Sequence, residues 1–190
     1  MEQRTSLSCT GSEFRKEDVL INHRSKRLFD TGAINATRRN HGLEHATVTV
    51  LMEKKGFTRR IAGRSTASGF HIIGNVSTEE LTAAVDEALR RMQRGESNLA
   101  VSPFCGTNLA VSGILSALSV TMVIGSKNRL AKLPNAALAG MLAVIVGQPL
   151  GALVQKYVTT RADVYDLRVL GISSKGWGPL TIHKVETDAY

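Results

Sequence analysis

The segment HGLEH, residues 41–45, carries residue types from which proteins build metal sites. On a helix, residues four apart are neighbours with Cβ atoms about 5–6 Å apart, so His41 and His45 can bind one metal ion through their ring nitrogens. Glu44 falls on nearly the same face, and it can bind the metal or take a proton from a metal-activated water. The alternative is a surface helix that carries a His–Glu pair.

A zinc site needs at least one further ligand, and Cys105 in SPFCGTN, residues 102–108, is the candidate. It lies where the chain enters a long apolar segment, and a helix N-terminus there lowers the thiol pKa and favours the metal-binding thiolate. The order His-x-x-Glu-His is also that of the inverzincin motif of zinc enzymes. Taken alone, Cys105 fits a small buried residue at a helix start better than it fits a metal ligand. The other cysteine, Cys9, lies too far away in sequence to indicate a disulfide framework.

Two long uncharged segments, residues 106–125 and 133–155, dominate the second half of the chain. Each is long enough to cross a hydrocarbon core of about 30 Å at about 1.5 Å per residue. The short polar link 126–132 joins them, so we predict a transmembrane helical hairpin, with Pro149 kinking the second helix. Small residues four apart allow close packing within the hairpin or against a membrane partner: Ser112 with Ser116, Gly113 with Ala117, and Gly147 with Gly151. The alternative is a buried hairpin inside a soluble protein.

The remaining segments predict a small α+β domain with a short β-sheet and amphipathic helices, into which the hairpin is inserted. The β-branched run 47–50 leaves a strand possible within the first helix, which Thr31 or Asn35 would cap. Ser77 and Glu80 form a capping box for the second helix. We expect helices at about 31–55 and 78–94, and strands at about 58–64, 69–74, 165–171 and 180–186. The strands before and after the hairpin can close one sheet.

The chain therefore divides into four parts. These are a flexible polar arm (1–26), an α+β part (27–100), the transmembrane hairpin (101–158) and C-terminal strands that complete the α+β part (159–190). The apolar face of the first predicted helix, at about 31–55, contains Ile34, His41, His45, Val48 and Met52. The histidines outside the HGLEH segment are not expected to be ligands. We expect His23 to be solvated in the arm, His71 to be a strand residue that faces water or a sheet face, and His183 to be an exposed strand residue.

The net charge of +8 suggests an acidic partner. An anionic lipid bilayer is the preferred partner, because it also explains the apolar segments. Few aromatic residues and no recognisable motif indicate that nucleic acid is not bound. An even number of crossings leaves both flanks on one side, and their basic total without a secretion signal predicts a multi-pass protein of the cytoplasmic (inner) membrane with a cytoplasmic α+β part.

Three stretches resemble the bacterial YqhQ-like membrane proteins, which are predicted metal-dependent enzymes of unknown function. They are HGLEH (41–45), PFCGTN (103–108) and QKYVTTR (155–161), and the resemblance spans about residues 38–170. It implies one site that contains four residues with three neighbours: His41, Glu44, His45 and Cys105, beside Gln155, Thr159 and Thr160. Ala46 and Phe104 depart from the family pattern, so the chain resembles a shorter sister group of the same design.

These features predict a membrane-embedded zinc-dependent hydrolase that acts on a lipid or a membrane-protein segment. His41, His45 and Cys105 would bind zinc, and Glu44 would be the general base, or else a further ligand. The alternative is a non-catalytic accessory or assembly subunit of a membrane protein complex, in which the motifs pin the first helix to the hairpin. A closed four-ligand site would favour the subunit, and an open metal position would favour the enzyme.

Overall fold

The computed structural model describes four stretches of the chain: residues 32–55, 61–125, 129–177 and 180–189. The predicted polar arm 1–26, with Cys9 and His23, lies outside the described residues. The same is true of Thr31, one of the two proposed helix caps.

Helix α1, Gly32–Lys55, contains both histidines of the HGLEH segment. It continues through the β-branched run, because the hydroxyls of Thr47 and Thr49 donate to carbonyl oxygens four residues earlier, at 2.8 and 2.9 Å. Local side-chain bonds of this kind allow threonine to remain in a helix. Asn35 lies inside the helix and is therefore not its cap.

Four strands form one antiparallel sheet in the order β1-β2-β4-β3. Their bounds are Ile61–Thr66 for β1, Gly69–Gly74 for β2, Arg168–Trp177 for β3 and Leu180–Asp188 for β4. Because β2 pairs with β4, strands from both sides of the apolar segments close one sheet, as predicted. The first strand ends later than expected, since its pairing with β2 continues to Thr66, and the predicted positions 58–60 lie outside the described residues.

Strand β3 continues beyond the predicted end at about residue 171. The strand runs on to Trp177 because its pairing with β4 continues, for example between Ser173 and Lys184. Strand β3 lies at the edge of the sheet, and its residues 173–176 are exposed. Small and polar side chains are therefore tolerated there, because no apolar core has to be filled. A bulge at Leu170 shifts the register near its start.

The expectation that His183 is exposed is wrong, since its side chain is completely buried. An alternating pattern does not show which strand is central, and β4 lies between β2 and β3. The Nε2 atom of His183 lies 2.9 Å from the carbonyl oxygen of Val76, which satisfies that nitrogen inside the core. His71 is a half-buried residue of β2, in agreement with its predicted place on a strand.

Helix α2, Thr78–Gln93, begins at the predicted capping box. The Ser77 hydroxyl accepts from the Glu80 N–H at 3.1 Å, and the Glu80 carboxylate accepts from the Ser77 N–H at 3.4 Å. The apolar stripe of α2 packs into one core with residues of α1, β2 and β4, including Leu81, Val85, Leu43, Phe70, Ile72 and Val185. Because α1 contacts α2, the sheet and residues 97–100, it is buried on several sides rather than on the predicted face, and Ile34 is 42% exposed.

Two helices, α3 (Gly106–Ile124) and α4 (Leu133–Val154), are long and apolar enough to cross a membrane. They form what is called here the apolar hairpin, and a π-helical turn, Gln155–Thr159, follows it. In the most apolar stretch of each helix, 11% and 17% of the residues are buried among the described residues. A hairpin buried in a soluble core would be mostly covered, so that alternative does not fit. Pro149 lies inside α4, and the kink there stays a prediction.

Small residues form the contact between α3 and α4. A Cβ added at Gly147 would overlap Ser112, and one added at Gly151 would overlap Asn108. The two helices therefore approach closely because these glycines lack side chains. Gly113 faces open space in the described part of the chain, so the predicted pair of Gly113 with Ala117 does not form part of this contact.

We expect Gly147→Leu to destabilise the protein by about 1–3 kcal/mol, because the new side chain would force the hairpin apart. Thermal unfolding of the detergent-purified protein measures the effect as a lower Tm. Gly113→Leu is the matched control, since it makes the same change on the open side of α3. Equal shifts in both variants would contradict the observed helix contact.

Candidate metal centre

Three side chains with metal-binding atoms meet where α1 lies against the start of α3. His41 and His45 come from successive turns of α1, and Cys105 is the residue that caps α3. One ligand atom from each of the three lies within 4.8 Å of the others, and Nε2 of His41 is 3.5 Å from Sγ of Cys105. The structure thus brings together the three residues that the sequence analysis names as ligands, hereafter the His–His–Cys trio.

Main-chain carbonyl groups orient both histidine rings. Nδ1 of His41 lies 3.0 Å from the carbonyl oxygen of Thr159, and Nδ1 of His45 lies 2.8 Å from that of Ala100. A carbonyl oxygen only accepts, so each Nδ1 carries a proton, and the neutral form of each ring has its lone pair on Nε2. Metal-binding histidines are held in this way, with the other nitrogen donating to a carbonyl or carboxylate.

The Nε2 atom of His45 is free to bind a metal ion. His45 is 4% exposed, and its Nε2 atom is buried with no hydrogen-bond partner among the described residues. A buried polar atom without a partner costs about 1–3 kcal/mol. A metal ion between His45 and Cys105 would satisfy this nitrogen.

The surroundings of the Cys105 side chain favour its thiolate form. Burial alone would raise its pKa, but the polar groups of His41, His45 and Thr107 around the sulfur lower the pKa to about 5. For His41, burial lowers the pKa, and the bonds to Cys105 and to the Thr159 carbonyl outweigh it and raise the pKa above its ordinary value. The thiolate is the form of cysteine that binds metals.

The geometry of the trio is compatible with a bound metal ion, and the bond lengths of zinc give a scale for comparison. Zn–N bonds of about 2.0–2.1 Å and Zn–S bonds of about 2.3 Å hold tetrahedral ligand atoms about 3.3–3.8 Å apart. The distance from His41 Nε2 to Cys105 Sγ, 3.5 Å, lies in this range, and the widest separation, 4.8 Å, requires a contraction of about 1 Å. Three protein ligands also leave a fourth position open, as in catalytic zinc sites.

Glu44 lies beside the trio but does not belong to it. Its carboxylate accepts a hydrogen bond from the Ser65 hydroxyl at 2.5 Å, and the residue is 7% exposed. Burial raises the pKa of Glu44, while the Ser65 bond and the positive charge of His41 oppose that rise in part. Gly63 makes room for the carboxylate, because a Cβ at that position would overlap it. The sheet therefore holds Glu44 near the ligands, and its role as base or ligand stays a prediction.

Gly42 allows α1 to approach the base of the apolar hairpin. A Cβ at Gly42 would collide with the carbonyl oxygen of Arg161 and lie 3.3 Å from the Cβ of Ala100. Residues 100 and 161 belong to the segments that enter and leave the hairpin. The same segments supply the carbonyl groups that orient His41 and His45, so the missing side chain permits both bonds.

The three predicted neighbours have different roles. Thr159 contacts a ligand, His41, but through its main-chain carbonyl. Gln155 is buried, accepts from the Ser102 N–H at 2.9 Å and donates to the Asn108 side chain at 2.7 Å. The Thr160 hydroxyl donates to the Gln155 carbonyl at 2.9 Å. Gln155 and Thr160 thus support the turn that carries Cys105.

Sequence reasoning missed Ala100, Ser65 and Asn108. Ala100 contacts His45 through its main-chain carbonyl group, and such a role cannot be recognised from the residue type. Ser65 contacts Glu44 only because β1 lies against α1, a tertiary contact. Asn108 does carry a signal, because a side-chain amide in an apolar helix is costly unless it is hydrogen-bonded.

In metal-free Cys9→Ser protein, we expect ultraviolet thiolate absorbance to titrate with a midpoint near pH 5, the lowered pKa of Cys105. The thiolate should predominate above that pH and be lost below it. His41→Ala should move the midpoint upward, toward about 8.5, the value of a free thiol. A midpoint near that ordinary value in the Cys9→Ser protein would contradict the described site.

Gly42→Ala should lower the free energy of unfolding by about 1–3 kcal/mol, because the added methyl group meets the Arg161 carbonyl. Helix propensity alone would raise it by about 0.5–1 kcal/mol, so the two effects differ in sign. Thermal unfolding measures the change, with Gly113→Ala as the control on an open helix face. Stabilisation of both variants would show that α1 does not contact residue 161.

Comparison with known proteins identifies a family for which no function is described. An uncharacterized protein of Picosynechococcus sp. is 35% identical over 136 residues, which cover 65% of each chain. The match thus spans less than two thirds of that relative, and no solved structure matches this chain. The resemblance to YqhQ-like proteins stays a prediction. A family model described as a domain of unknown function (DUF6391) matches residues 36–172, which include the His–His–Cys trio and the apolar hairpin, and the chain belongs to this family.

Proposed function

We propose that this protein is a membrane-embedded zinc-dependent hydrolase that acts on a lipid or a membrane-protein segment. The observation that supports it best is the His–His–Cys trio, in which both Nδ1 atoms are bound to carbonyl groups and the Nε2 atom of His45 lacks a partner among the described residues. Two imidazoles and a thiolate are characteristic zinc ligands.

The roles of the residues follow from their positions. His41, His45 and Cys105 would hold the metal, which would polarise a substrate oxygen and make a water more acidic. Glu44 would take a proton from the attacking water and pass it to the leaving group. A buried carboxyl group with a raised pKa suits this task, because its proton affinity is closer to that required near neutral pH. Ser65 would fix its orientation.

The apolar hairpin supports a place in the cytoplasmic membrane. Large apolar side chains of α3 and α4 are exposed, among them Leu109, Ile114, Met122, Met141 and Ile145. Lipid would cover them, with the first crossing starting and the second ending on the side of the α+β part. The basic net charge favours the cytoplasm for that part. The trio lies at the end of the hairpin next to the α+β part, a suitable position for substrates that remain in the membrane.

An accessory or assembly subunit is the second candidate, and the burial of His45 and Cys105 favours it. Cys105 is 8% exposed, and the buried Gln155 side chain joins the start of α3 to the turn after α4. A metal ion here would tie α1 to the apolar hairpin without any reaction. The two candidates share the metal site and differ in catalysis.

We expect about one zinc ion per chain in protein purified in detergent without chelators. Elemental analysis should show its loss in His45→Ala and in Cys105→Ser, because each variant removes one of three ligands. His71→Ala is the matched control, since it removes a half-buried histidine of β2 that is not part of the trio. Absence of metal from the wild type would refute the zinc proposal.

Glu44→Gln should keep the full zinc content and lose hydrolysis by about 10²–10⁴-fold, because it removes the general base and no ligand. Mass spectrometry of lipid products, with vesicles of phosphatidylglycerol and phosphatidylethanolamine, and of fragments of an added transmembrane peptide measures turnover. Loss of zinc from this variant would make Glu44 a ligand. Zinc-loaded wild type that hydrolyses neither substrate would favour the accessory subunit.

A further inference from the structure

A cleft of about 750 Å³ lies beside the candidate metal centre and has no part in the chemistry proposed above. It shares Ala100 with the surroundings of the trio, yet neither the histidines nor Cys105 line it. The residues used in the following argument are Arg38, Lys156, Tyr157, Arg161 and Asp163. We propose that this cleft binds a phosphate group, carried by the headgroup of an anionic membrane lipid.

The charge of the cleft suits a phosphate ester. Three cationic side chains and one carboxylate line it among the described residues, which leaves a net charge of two positive. Arginine binds phosphate through a planar fork of donors, and lysine binds it as a point charge. A phosphodiester or phosphomonoester would compensate this charge.

Both guanidinium groups are held in place before any ligand binds. Nη2 of Arg38, a residue that is only 9% exposed, donates to the carbonyl oxygens of Tyr157 at 2.9 Å and Thr160 at 3.4 Å. Arg161 donates to the Asn35 side chain at 2.5 Å and to Asp163 at 3.2 Å. Guanidinium groups that are already fixed lose little freedom on binding, so the positive charges of the cleft are preorganised.

The position of the cleft favours a lipid over a soluble phosphate. Lys156 and Tyr157 belong to the turn that directly follows α4, and four other residues of the cleft, at positions 97, 98, 100 and 101, precede α3. The cleft therefore lies at the polar end of the apolar hairpin, where lipid phosphates lie if the hairpin crosses a bilayer. Lys156 also lies 5.1 Å from the ring centre of Tyr157, and both residue types are common at this depth.

The size of the cleft also favours a lipid headgroup over a free phosphate ion. A volume of about 750 Å³ is within the range of pockets for whole small molecules, about 300–1,000 Å³, and far exceeds one inorganic phosphate. A glycerophosphate headgroup would fill more of it. The proposal concerns binding alone, so it goes beyond the proposed hydrolase and holds with or without a metal ion.

The test is isothermal titration of the full-length protein in maltoside detergent at physiological salt. Three probes are compared: dihexanoyl-phosphatidylglycerol, dihexanoyl-phosphatidylcholine and inorganic phosphate. We expect the anionic lipid to bind tightest, and Lys156→Gln to weaken it about tenfold, since a bond to a charged group is lost. Lys156 is exposed, so this variant should fold normally, and an unchanged Tm checks that it does.

Matched variants separate the cleft from general charge and from the metal. Arg168→Gln makes the same charge change at an exposed site of β3 that does not line the cleft in the described part of the chain, and should bind normally. Lys156→Arg should retain binding, and Cys105→Ser should retain it without zinc. Equal weakening in Arg168→Gln, or inorganic phosphate binding as tightly as the lipid, would overturn the proposal. Wild-type protein that contains no zinc and still binds the lipid would overturn only the hydrolase.

Discussion

The close contact between helix α1 and the two segments at the base of the apolar hairpin is the constraint on which the rest of the structure depends. At Gly42 the helix backbone meets the carbonyl group of Arg161 with no side chain between them. The Arg161 N–H donates to the Arg38 carbonyl of the same helix at 2.9 Å, and this hydrogen bond holds the two segments together. This approach brings the carbonyls of Ala100 and Thr159 within reach of the two histidine rings.

A second polar layer fixes the position of the cysteine. The Gln155 amide bridges the Ser102 N–H and the Asn108 side chain, and Asn108 in turn donates to the carbonyls of Ser102 and Pro103. Buried networks of this kind are stabilising only when their members are satisfied, and they then specify one arrangement. The turn before α3 is therefore held from two sides, and the Cys105 thiolate has a defined direction.

Local patterns in the sequence predict much of this fold. The capping box and the apolar stripe locate α2, and the uncharged segments locate α3 and α4. Spacing of four on a helix also identifies His41 and His45 as neighbours, and the turn at the start of α3 adds Cys105. The helix positions could be predicted because they depend on interactions between residues close in sequence, whereas the contact of Cys105 with His41 joins residues 64 apart.

Properties that depend on contacts between residues far apart in the chain could not be predicted from the sequence. The burial of His183 follows from the central place of β4, and the length of β3 follows from its ladder with β4. The partner of Glu44, Ser65, lies on a strand that packs against α1. An alternating or helical pattern identifies which residues share a face, but not which element covers it. The same reason explains why the buried surface of α1 is wider than its apolar stripe.

The pairing of β2 with β4 also constrains the order of events during synthesis. The His183 ring bonds to the Val76 carbonyl, 107 residues earlier in the chain. At about 5–20 residues per second, a ribosome needs roughly 5–20 s to make the intervening segment, which contains the whole apolar hairpin. During that interval β2 has an open edge, and such edges promote aggregation. The hairpin thus emerges, and can enter the bilayer, before the sheet closes, so the nascent first half remains incomplete until the last strand arrives.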